Sequence, residues 1–338
     1  MRRLLLIILL CVSQAVWADD FLDGSAAYDR QDYKTALAKF HRAAQDGNAN
    51  AQSNLGSMYR NGQGVVQDYK EAVRWYTMAA QRGQARAQYN LGFMYLRGQG
   101  VVQDYKEAVR WYTMAAQQGH AGAQHNLGVM YNNGEGVAQD HKEAVRWYTM
   151  AAQQGLASTQ YNLGLMYSNG QGVARNYREA VRLYTMAAQQ GHAGAQFNLG
   201  FIYDNGQGVV QNYKEAARWY TMAAQQGRAD AQTNLGSMYG NGQGVAQNHK
   251  EAVRWWTLAA HQGRADAQYN LGVVYDNGRG VLRDHIRAHM WFNIAAVGGD
   301  KDSVKNRDIV ASKMTPQQIE QAQRMARECM NSNFKKCD

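Results

Sequence analysis

A segment of twenty residues, GQGVVQDYKEAVRWYTMAAQ, occurs twice in the sequence without a difference, at 62–81 and at 98–117. Near-copies follow at the same 36-residue interval, and seven full units begin at Ala51, Ala87, Ala123, Thr159, Ala195, Ala231 and Ala267. One slot of the segment holds Trp75, Trp111, Trp147, Leu183, Trp219, Trp255 and Trp291. A fixed interval of this length predicts an array of small modules, each in contact with its neighbours.

The first part of each unit predicts an amphipathic helix. In the unit that begins at Ala87, Leu91, Met94 and Tyr95 continue one apolar face at helical spacing. Gly92 lies inside this pattern and recurs in every unit, although glycine lowers helix propensity. We therefore expect the glycine to permit close approach of a neighbouring helix.

A Gly-Gln-Gly loop ends the first helix, and Asp104 begins a second helix with Glu107 three residues later. This spacing predicts a capping box, in which each residue of the pair satisfies a free backbone N–H. The pair recurs as Asp68/Glu71, Asp140/Glu143, Asn176/Glu179, Asn212/Glu215 and Asn248/Glu251. Gly119 marks the end of the second helix.

The second helix alternates small and large apolar residues, which is typical of interlocking helix pairs. Its predicted buried stripe consists of Ala108, Trp111, Tyr112, Ala115 and Ala116. A single pair of helices cannot bury such a face, whereas stacked pairs can, each against the next. The chain also has 34 Gly and only one Pro, as expected for short helices joined by tight turns. The sequence therefore predicts an all-α solenoid.

The unit A-x-A-Q-x-N-L-G-x-M-Y-x-x-G-x-G-V-x-x-D-x-x-K/E-A-x-x-W-Y-x-x-A-A-x-x-G resembles the Sel1-like repeat, a relative of the tetratricopeptide repeat. The resemblance covers residues 32–302. It departs from the pattern at Leu183, at Trp256 and Phe292 in the Tyr slot, and at Arg287 in the last capping pair. The resemblance implies a right-handed superhelix of helix-turn-helix repeats and a role as an adaptor that assembles protein complexes.

The two ends differ from the repeats and predict separate segments. Residues 1–18 have the charge pattern and apolar run of an export signal, with cleavage after Ala18; a lipoprotein signal that uses Cys11 is the alternative. Residues 19–50 predict N-terminal capping helices, 51–302 the seven repeats, and 303–338 C-terminal capping helices. No stretch of the mature chain is apolar enough to predict a transmembrane segment.

Cys329 and Cys337 are the cysteines that remain after removal of the signal. An even pair in an exported protein predicts a disulfide near the C-terminus, with two free thiols as the alternative. Thr315, Pro316 and Gln318 predict a strong start for the last helix, which the disulfide would hold to the tail.

Positions that vary between the seven copies indicate where a ligand could bind; the alternative is that they face solvent and vary without constraint. They recur at i, i+3, i+7 and i+10 of the first helix, which places them on one face. In the related repeats this face lines an inner groove, and the resemblance implies the same here. The candidate binding residues are Arg60, Arg86, Tyr89, Phe93, His125, Tyr161, Phe197, Phe201, Asp204, Asp230, Tyr269 and Asp276. Apolar contacts between opposite charges suit an extended peptide or a partner helix.

Patterns that carry chemistry are weak in this sequence. His285 and His289 have the spacing of two metal ligands on one helix, but no third ligand is evident. Ser332 and Lys335 spell S-x-x-K, the nucleophile motif of penicillin-recognising enzymes, without its companion motifs. The sequence predicts neither a metal, nor a cofactor, nor an enzyme.

The sequence thus predicts a non-catalytic scaffold, periplasmic or secreted, that binds a protein or peptide partner. The formal charge of +9 falls to +7 when the signal and its two arginines are removed, which favours anionic partners in general. The basic residues are dispersed rather than clustered, so nucleic acid is not expected. A cell-wall (peptidoglycan) binding protein is the alternative function, and a hydrolase of β-lactams or wall peptides is the weaker one.

Overall fold

A computed structural model describes residues 20–337, and these residues fold into α-helices without any strand. The predicted export signal lies outside the described residues. The chain divides into two compact units, with unit 1 ending at Arg175 and unit 2 beginning at Asn176. No helix within residues 20–337 combines the length and apolarity needed to cross a bilayer.

The helices of unit 1 alternate with short loops. They are α1 (residues 20–29), α2 (Tyr33–Gln45), α3 (Ala49–Asn61), α4 (Tyr69–Gln81), α5 (Ala85–Arg97), α6 (Tyr105–Gln117), α7 (Ala121–Asn133), α8 (His141–Gln153) and α9 (Ala157–Asn169). From α3 to α16, odd-numbered helices are the first helices of the repeats and even-numbered helices are the second helices.

Unit 2 continues the same alternation. Its helices are α10 (Tyr177–Gln189), α11 (Ala193–Asn205), α12 (Tyr213–Gln225), α13 (Ala229–Asn241), α14 (His249–Ala260), α15 (Ala265–Asn277), α16 (His285–Ala295), a 3₁₀ turn (Ala296–Gly298), α17 (Lys301–Ala311) and α18 (Pro316–Asn331). The last two helices follow the repeats and pack against α16.

Each described core cluster within the repeats joins three consecutive helices. One cluster consists of Ala72, Tyr76, Ala79 and Ala80 from α4, Ala87, Leu91 and Met94 from α5, and Trp111 from α6. Its equivalents recur one repeat later in unit 1 and again in unit 2. The core therefore lies between a second helix and the hairpin that follows it, which confirms that the hairpins stack.

Glycines in the first helix allow the large ring of the second helix to lie against its backbone. A Cβ atom at Gly92 would be 2.8 Å from Cδ1 of Tyr112, and the same conflict recurs between Gly128 and Tyr148. The loop glycine Gly100 meets the preceding repeat instead, because its Cβ would overlap the carbonyl oxygen of Tyr69. These glycines are recurrent because a side chain would separate packed elements.

The predicted capping boxes form only in part. Asp104 does cap α6, since its carboxylate accepts hydrogen bonds from the backbone N–H groups of Lys106 and Glu107. Its own N–H, however, donates to the carbonyl of Tyr95 at 3.0 Å. That donor is therefore already satisfied, and Glu107 pairs with Arg110 at 3.1 Å instead of reaching back. The two-way box prediction is wrong for this helix.

A full capping box does form at the C-terminal end, where Thr315 and Gln318 satisfy each other's backbone N–H groups. Pro316 occupies the first helical position of α18, as predicted. The buried face of α18 includes Ala326 and Cys329, and Cys329 forms a disulfide with Cys337. The tail is thereby joined to the core at the last repeat.

A buried glutamine links each repeat to the segment before it, a role that was not predicted from the sequence. The Nε2 of Gln88 donates to the carbonyl of Ala80 at the end of α4, and six equivalent glutamines do the same. The Oε1 of Gln88 accepts from Gln118 at 2.7 Å. Both ends of this buried amide are thus satisfied, which avoids the cost of an unpaired polar group.

The first repeat lacks the glutamine that donates to the buried glutamine in the next repeat, and this difference gives a stability prediction. Arg82 stands where Gln118 stands one repeat later, and the buried Oε1 of Gln52 has no hydrogen-bond partner among residues 20–337. Because an amide donor would satisfy that oxygen, Arg82→Gln is expected to raise the free energy of unfolding by about 1 kcal/mol. A urea melt monitored by helical ellipticity would measure it. The reciprocal Gln118→Arg should lose a similar amount, and a gain from both changes would contradict the explanation.

Candidate functional site

The variable positions of the first helices form one face in each unit, which we call the first-helix face. In unit 1 it comprises the predicted residues Arg60, Arg86, Tyr89, Phe93, His125 and Tyr161, on α3, α5, α7 and α9. In unit 2 it comprises Phe197, Phe201, Asp204, Asp230, Tyr269 and Asp276, on α11, α13 and α15. Most of these side chains are half-buried rather than fully exposed.

Phe93 is the centre of a cationic cluster in unit 1. The guanidinium carbons of Arg60 and Arg97 lie 5.8 and 5.7 Å from its ring centroid. Arg60 comes from the preceding repeat, whereas Arg97 lies one helical turn further along α5. Both distances are within the range of a cation–π contact, so the ring holds two positive charges near one apolar surface.

Tyr89 and His125 are also engaged within unit 1. Tyr89 stacks on His120, with ring centroids 4.5 Å apart. The Nδ1 of His125 lies 2.8 Å from the hydroxyl of Thr159 in the next repeat, and burial lowers the pKa of His125. His125 is therefore neutral at pH 7 and acts as a hydrogen-bonding group rather than a cation.

Two pockets open on the first-helix face of unit 1. One has a volume of about 240 Å³ between α7 and α9, and its lining mixes apolar residues with amides: Val129, Asn132, Asn133, Tyr148, Asn162, Leu165, Met166, Asn169 and Gln171. The other has about 360 Å³ and is lined by Ser25, Tyr28, Asp29, Phe40, Asn54, Ser57 and Arg86. Both linings are mostly polar, with one or a few apolar side chains, so they offer hydrogen-bonding groups to a ligand.

Phe201 is the most exposed aromatic residue of this face in unit 2, with 43% of its surface accessible. Phe197 lies on the same helix, α11, one turn before Phe201. The guanidinium of Arg228 lies 5.0 Å from the centroid of the Phe197 ring. Arg228 also pairs with Asp230 at 2.5 Å. The face in unit 2 thus combines an exposed aromatic ring, Phe201, with an aspartate, Asp230, whose charge is compensated by Arg228.

Most aspartates of the first-helix face in unit 2 are ion-paired, although the sequence predicted opposite charges on either side of the apolar positions. Asp276 pairs with Lys313, which follows α17, at 3.0 Å and lies 3.4 Å from Nε2 of His285. Asp204 has no cationic partner among the described ion pairs; burial raises the pKa of its carboxyl group, and the Tyr220 hydroxyl lies 3.5 Å away. The expectation of a negative end to the groove is therefore not supported by the charges on this face.

A pocket of about 400 Å³ lies at the C-terminal end of the face in unit 2. It is lined by Ala265, Asp266, Tyr269, Asn270, Asp300, Asp302 and Ser303. The Tyr269 hydroxyl accepts a hydrogen bond from Asn306, so α17 helps to build this pocket.

The weak chemical motifs have structural roles. His289 is 2% exposed in the core, and no group of three or more potential metal ligands occurs within residues 20–337. The Ser332 hydroxyl donates to the carbonyl of Cys329 at 2.7 Å and accepts from the N–H groups of Lys335 and Lys336. It therefore stabilises the turn after α18, and the geometry gives the S-x-x-K match no support as a nucleophile.

The stacked helical hairpins and the variable face define a helical-repeat solenoid protein. A family model described as Sel1 repeat matches residues 49–84, 85–120, 121–156, 157–192, 193–227, 229–263 and 265–300. The chain belongs to the Sel1 repeat family. Sel1 repeat solenoids are typically scaffolds for protein–protein interaction.

Solved structures support the same fold. A Sel1 repeat protein from Oxalobacter formigenes is 33% identical, with 71% of this chain and 96% of that chain covered and a TM-score of 0.63. A protective antigen present in uropathogenic Escherichia coli strains, which displays an SLR fold, is 28% identical over 95% of this chain and 86% of that chain, with a TM-score of 0.50. A search of the curated proteins finds no match.

Proposed function

We propose that this protein is a non-catalytic scaffold that binds a segment of a partner protein on its first-helix face. The observation that carries the proposal is that this face retains accessible apolar groups and pockets at the positions that vary between repeats. Phe201 is 43% exposed, and the pockets of unit 1 are lined by variable residues such as Val129 and Leu165. Packing fixes the invariant positions, whereas partner recognition would explain aromatic residues at variable ones.

The proposed location is the periplasm or the exterior of the cell. The bond between Cys329 and Cys337 supports it, because structural disulfides persist in oxidising compartments. Peptidoglycan is a second candidate ligand in that location, favoured by the formal charge of +7 that remains without the predicted signal and its two arginines, since the wall polymer is anionic.

A random-peptide display selection on the purified protein would test the scaffold function. Peptides selected by the full chain should bind with measurable affinity, and some should lose about 10-fold or more in affinity for Phe201→Ala, because aromatic anchors contribute most of the binding energy at such sites. Leu258→Ala is the matched control, since Leu258 is 42% exposed but lies on second helix α14. Binding should be unchanged in this control, and circular dichroism should show equal helicity.

Two results would contradict the proposal. The first is a selection that yields no peptide able to bind in solution. The second is equal binding of all selected peptides to wild type and to the variants Phe201→Ala and Phe93→Ala. Sedimentation of the protein with purified peptidoglycan, in place of peptide binding, would favour the second candidate.

A further inference from the structure

We propose that the first-helix face of unit 1 binds an acidic, extended segment of a partner protein. The inference rests on the proposed function and adds the chemistry and the position of the bound segment. It comes from a difference between the units in how the charges on this face are partnered.

The first helices of unit 1 contain cations and no acids. Across α3, α5, α7 and α9 there is no Asp or Glu, whereas Arg60, Arg86 and Arg97 are present. None of these three arginines forms an ion pair with a carboxylate anywhere in residues 20–337. By contrast, the arginines of the second helices, such as Arg74 and Arg110, pair with a glutamate three residues earlier.

The equivalent helices of unit 2 have the opposite composition but little free charge. Helices α11, α13 and α15 contain four Asp and no Lys or Arg. Three of these carboxylates have cationic partners, through the pairs Asp230–Arg228, Asp266–Arg264 and Asp276–Lys313. Asp204 is thus the one carboxylate of these helices in unit 2 without a cationic partner among the described ion pairs, and it is partly buried. The first helices of unit 1, by contrast, carry three arginines without a carboxylate partner and no acid, so their uncompensated charge is positive.

The spacing of the arginines suits an extended segment. Arg86 and Arg97 are eleven residues apart on α5, which places their backbones about 16 Å apart along the helix axis. About five residues of extended chain span that distance. Phe93 lies between them with Arg60 beside its ring, so an apolar residue at the centre of the segment would contact Phe93 while acidic residues on either side reach the arginines.

The surroundings of Arg86 leave room for a carboxylate. Its Nη2 donates to Oδ1 of Asn54 at 2.8 Å, which orients the guanidinium and uses one of its five donors. Arg86 also lines the pocket of about 360 Å³ described above, together with Asp29. Asp29 is the acidic group of that lining, and it lies on the exposed side of α1 without an ion pair to Arg86 in the described chain.

The test uses the full chain and three labelled six-residue peptides, acetylated and amidated, in a fluorescence polarisation titration. The first is Glu-Glu-Leu-Phe-Glu-Glu, and the others replace every Glu with Gln or with Lys. We expect the acidic peptide to bind at least 10-fold more tightly than either of the others at low salt. The difference should shrink as ionic strength rises, because the arginines are accessible to solvent and salt screens such charges.

Two triple variants with the same change in net charge distinguish binding at the three first-helix arginines from attraction by the overall charge of the protein. The variant R60Q/R86Q/R97Q should weaken the acidic peptide by about 10-fold, in line with modest contributions from three exposed pairs. The variant R74Q/R110Q/R146Q removes three arginines from second helices, and it should leave the affinity within 2-fold of wild type. Equal losses in both variants, or equal binding of all three peptides, would overturn the inference.

Inorganic polyphosphate serves as a competitor that carries negative charge without apolar side chains. Displacement of the acidic peptide by polyphosphate at equal charge concentration, with the same potency on both triple variants, would show unspecific polyanion binding and would overturn the inference. If display selection yields peptides that bind this face but are not acidic, the result supports the scaffold function and contradicts the proposed preference for an acidic segment.

Discussion

Replacing Trp147 with Ala is expected to lower the free energy of unfolding by about 3–5 kcal/mol, the usual cost of removing a large aromatic side chain from a core. Trp147 is 6% exposed and packs against Ala108, Tyr112 and Leu127, which belong to the preceding second helix and to its own repeat's first helix. The cavity would therefore open between two repeats rather than inside one. Urea denaturation of the full chain, monitored by helical ellipticity, would measure the loss.

The chain supplies its own control for this change. Leu183 occupies the same slot in the next repeat and is 1% exposed, so the fold accepts a leucine there. The buried Nε1 of Trp147 also has no hydrogen-bond partner within residues 20–337, and leucine removes that unsatisfied donor. Trp147→Leu should consequently cost about 1–2 kcal/mol, well below the alanine variant. Equal losses for Ala and Leu would show that the size of the side chain does not hold this interface together.

Gly100→Ala is expected to cost about 3 kcal/mol or more, because two separate penalties act at this position. Gly100 has φ of +73°, a left-handed conformation that costs an alanine about 1–2 kcal/mol. The new Cβ would also overlap the backbone carbonyl of Tyr69, which cannot rotate away, and overpacking of this kind adds about 1–3 kcal/mol. Hydrogen exchange should show that the opening is concentrated at the contact of the loop with α4.

Gly119→Ala isolates the conformational penalty in the same repeat. Gly119 has φ of +86°, but no atom outside its immediate neighbours lies within 4 Å of the position of a Cβ. Its loss should therefore be limited to about 1–2 kcal/mol. If Gly100→Ala and Gly119→Ala were equally destabilising, the loop glycine would be retained for its backbone angles alone and not for contact with the preceding repeat.

The architecture was accessible from the sequence because seven copies repeat the same local signals. Helical spacing, the glycine loop and the N-cap residue agree in all seven repeats, so a misread signal in one repeat does not alter the prediction of a helical solenoid. The reciprocal role of Glu107 was predicted wrongly because the competing donor–acceptor pair, Asp104 and Tyr95, joins residues nine apart across a loop. Spacing rules for a single helix do not include such a contact.

The buried glutamines were also missed, although a signal was available. A polar residue that recurs in all seven units within an apolar pattern, as Gln88 does, indicates a buried hydrogen bond rather than a surface position. The acceptor, the carbonyl of Ala80, could have been inferred from the end of the preceding helix, which leaves backbone carbonyls without partners.

The candidate site was predictable in position but not in charge. All twelve predicted residues lie on first helices, as helical spacing requires. Whether an aspartate is ion-paired depends on residues outside the variable positions of the first helices. Arg228, the partner of Asp230, precedes α13. Lys313 follows α17 and is 37 residues beyond its partner Asp276. Only the folded chain shows which charges are cancelled and which arginines remain available to a ligand.

Helices α4 and α6 have the same thirteen residues, YKEAVRWYTMAAQ, and each presents the same surface to the helix that follows it. If residues 85–120 were excised, α4 would be followed by α7, which matches α5 at the buried positions Ala, Gln, Leu, Gly and Met. A gene that encodes such modules can gain or lose one by recombination between near-identical stretches without a need for compensating substitutions. The number of modules can therefore change in whole steps during evolution while each junction stays the same.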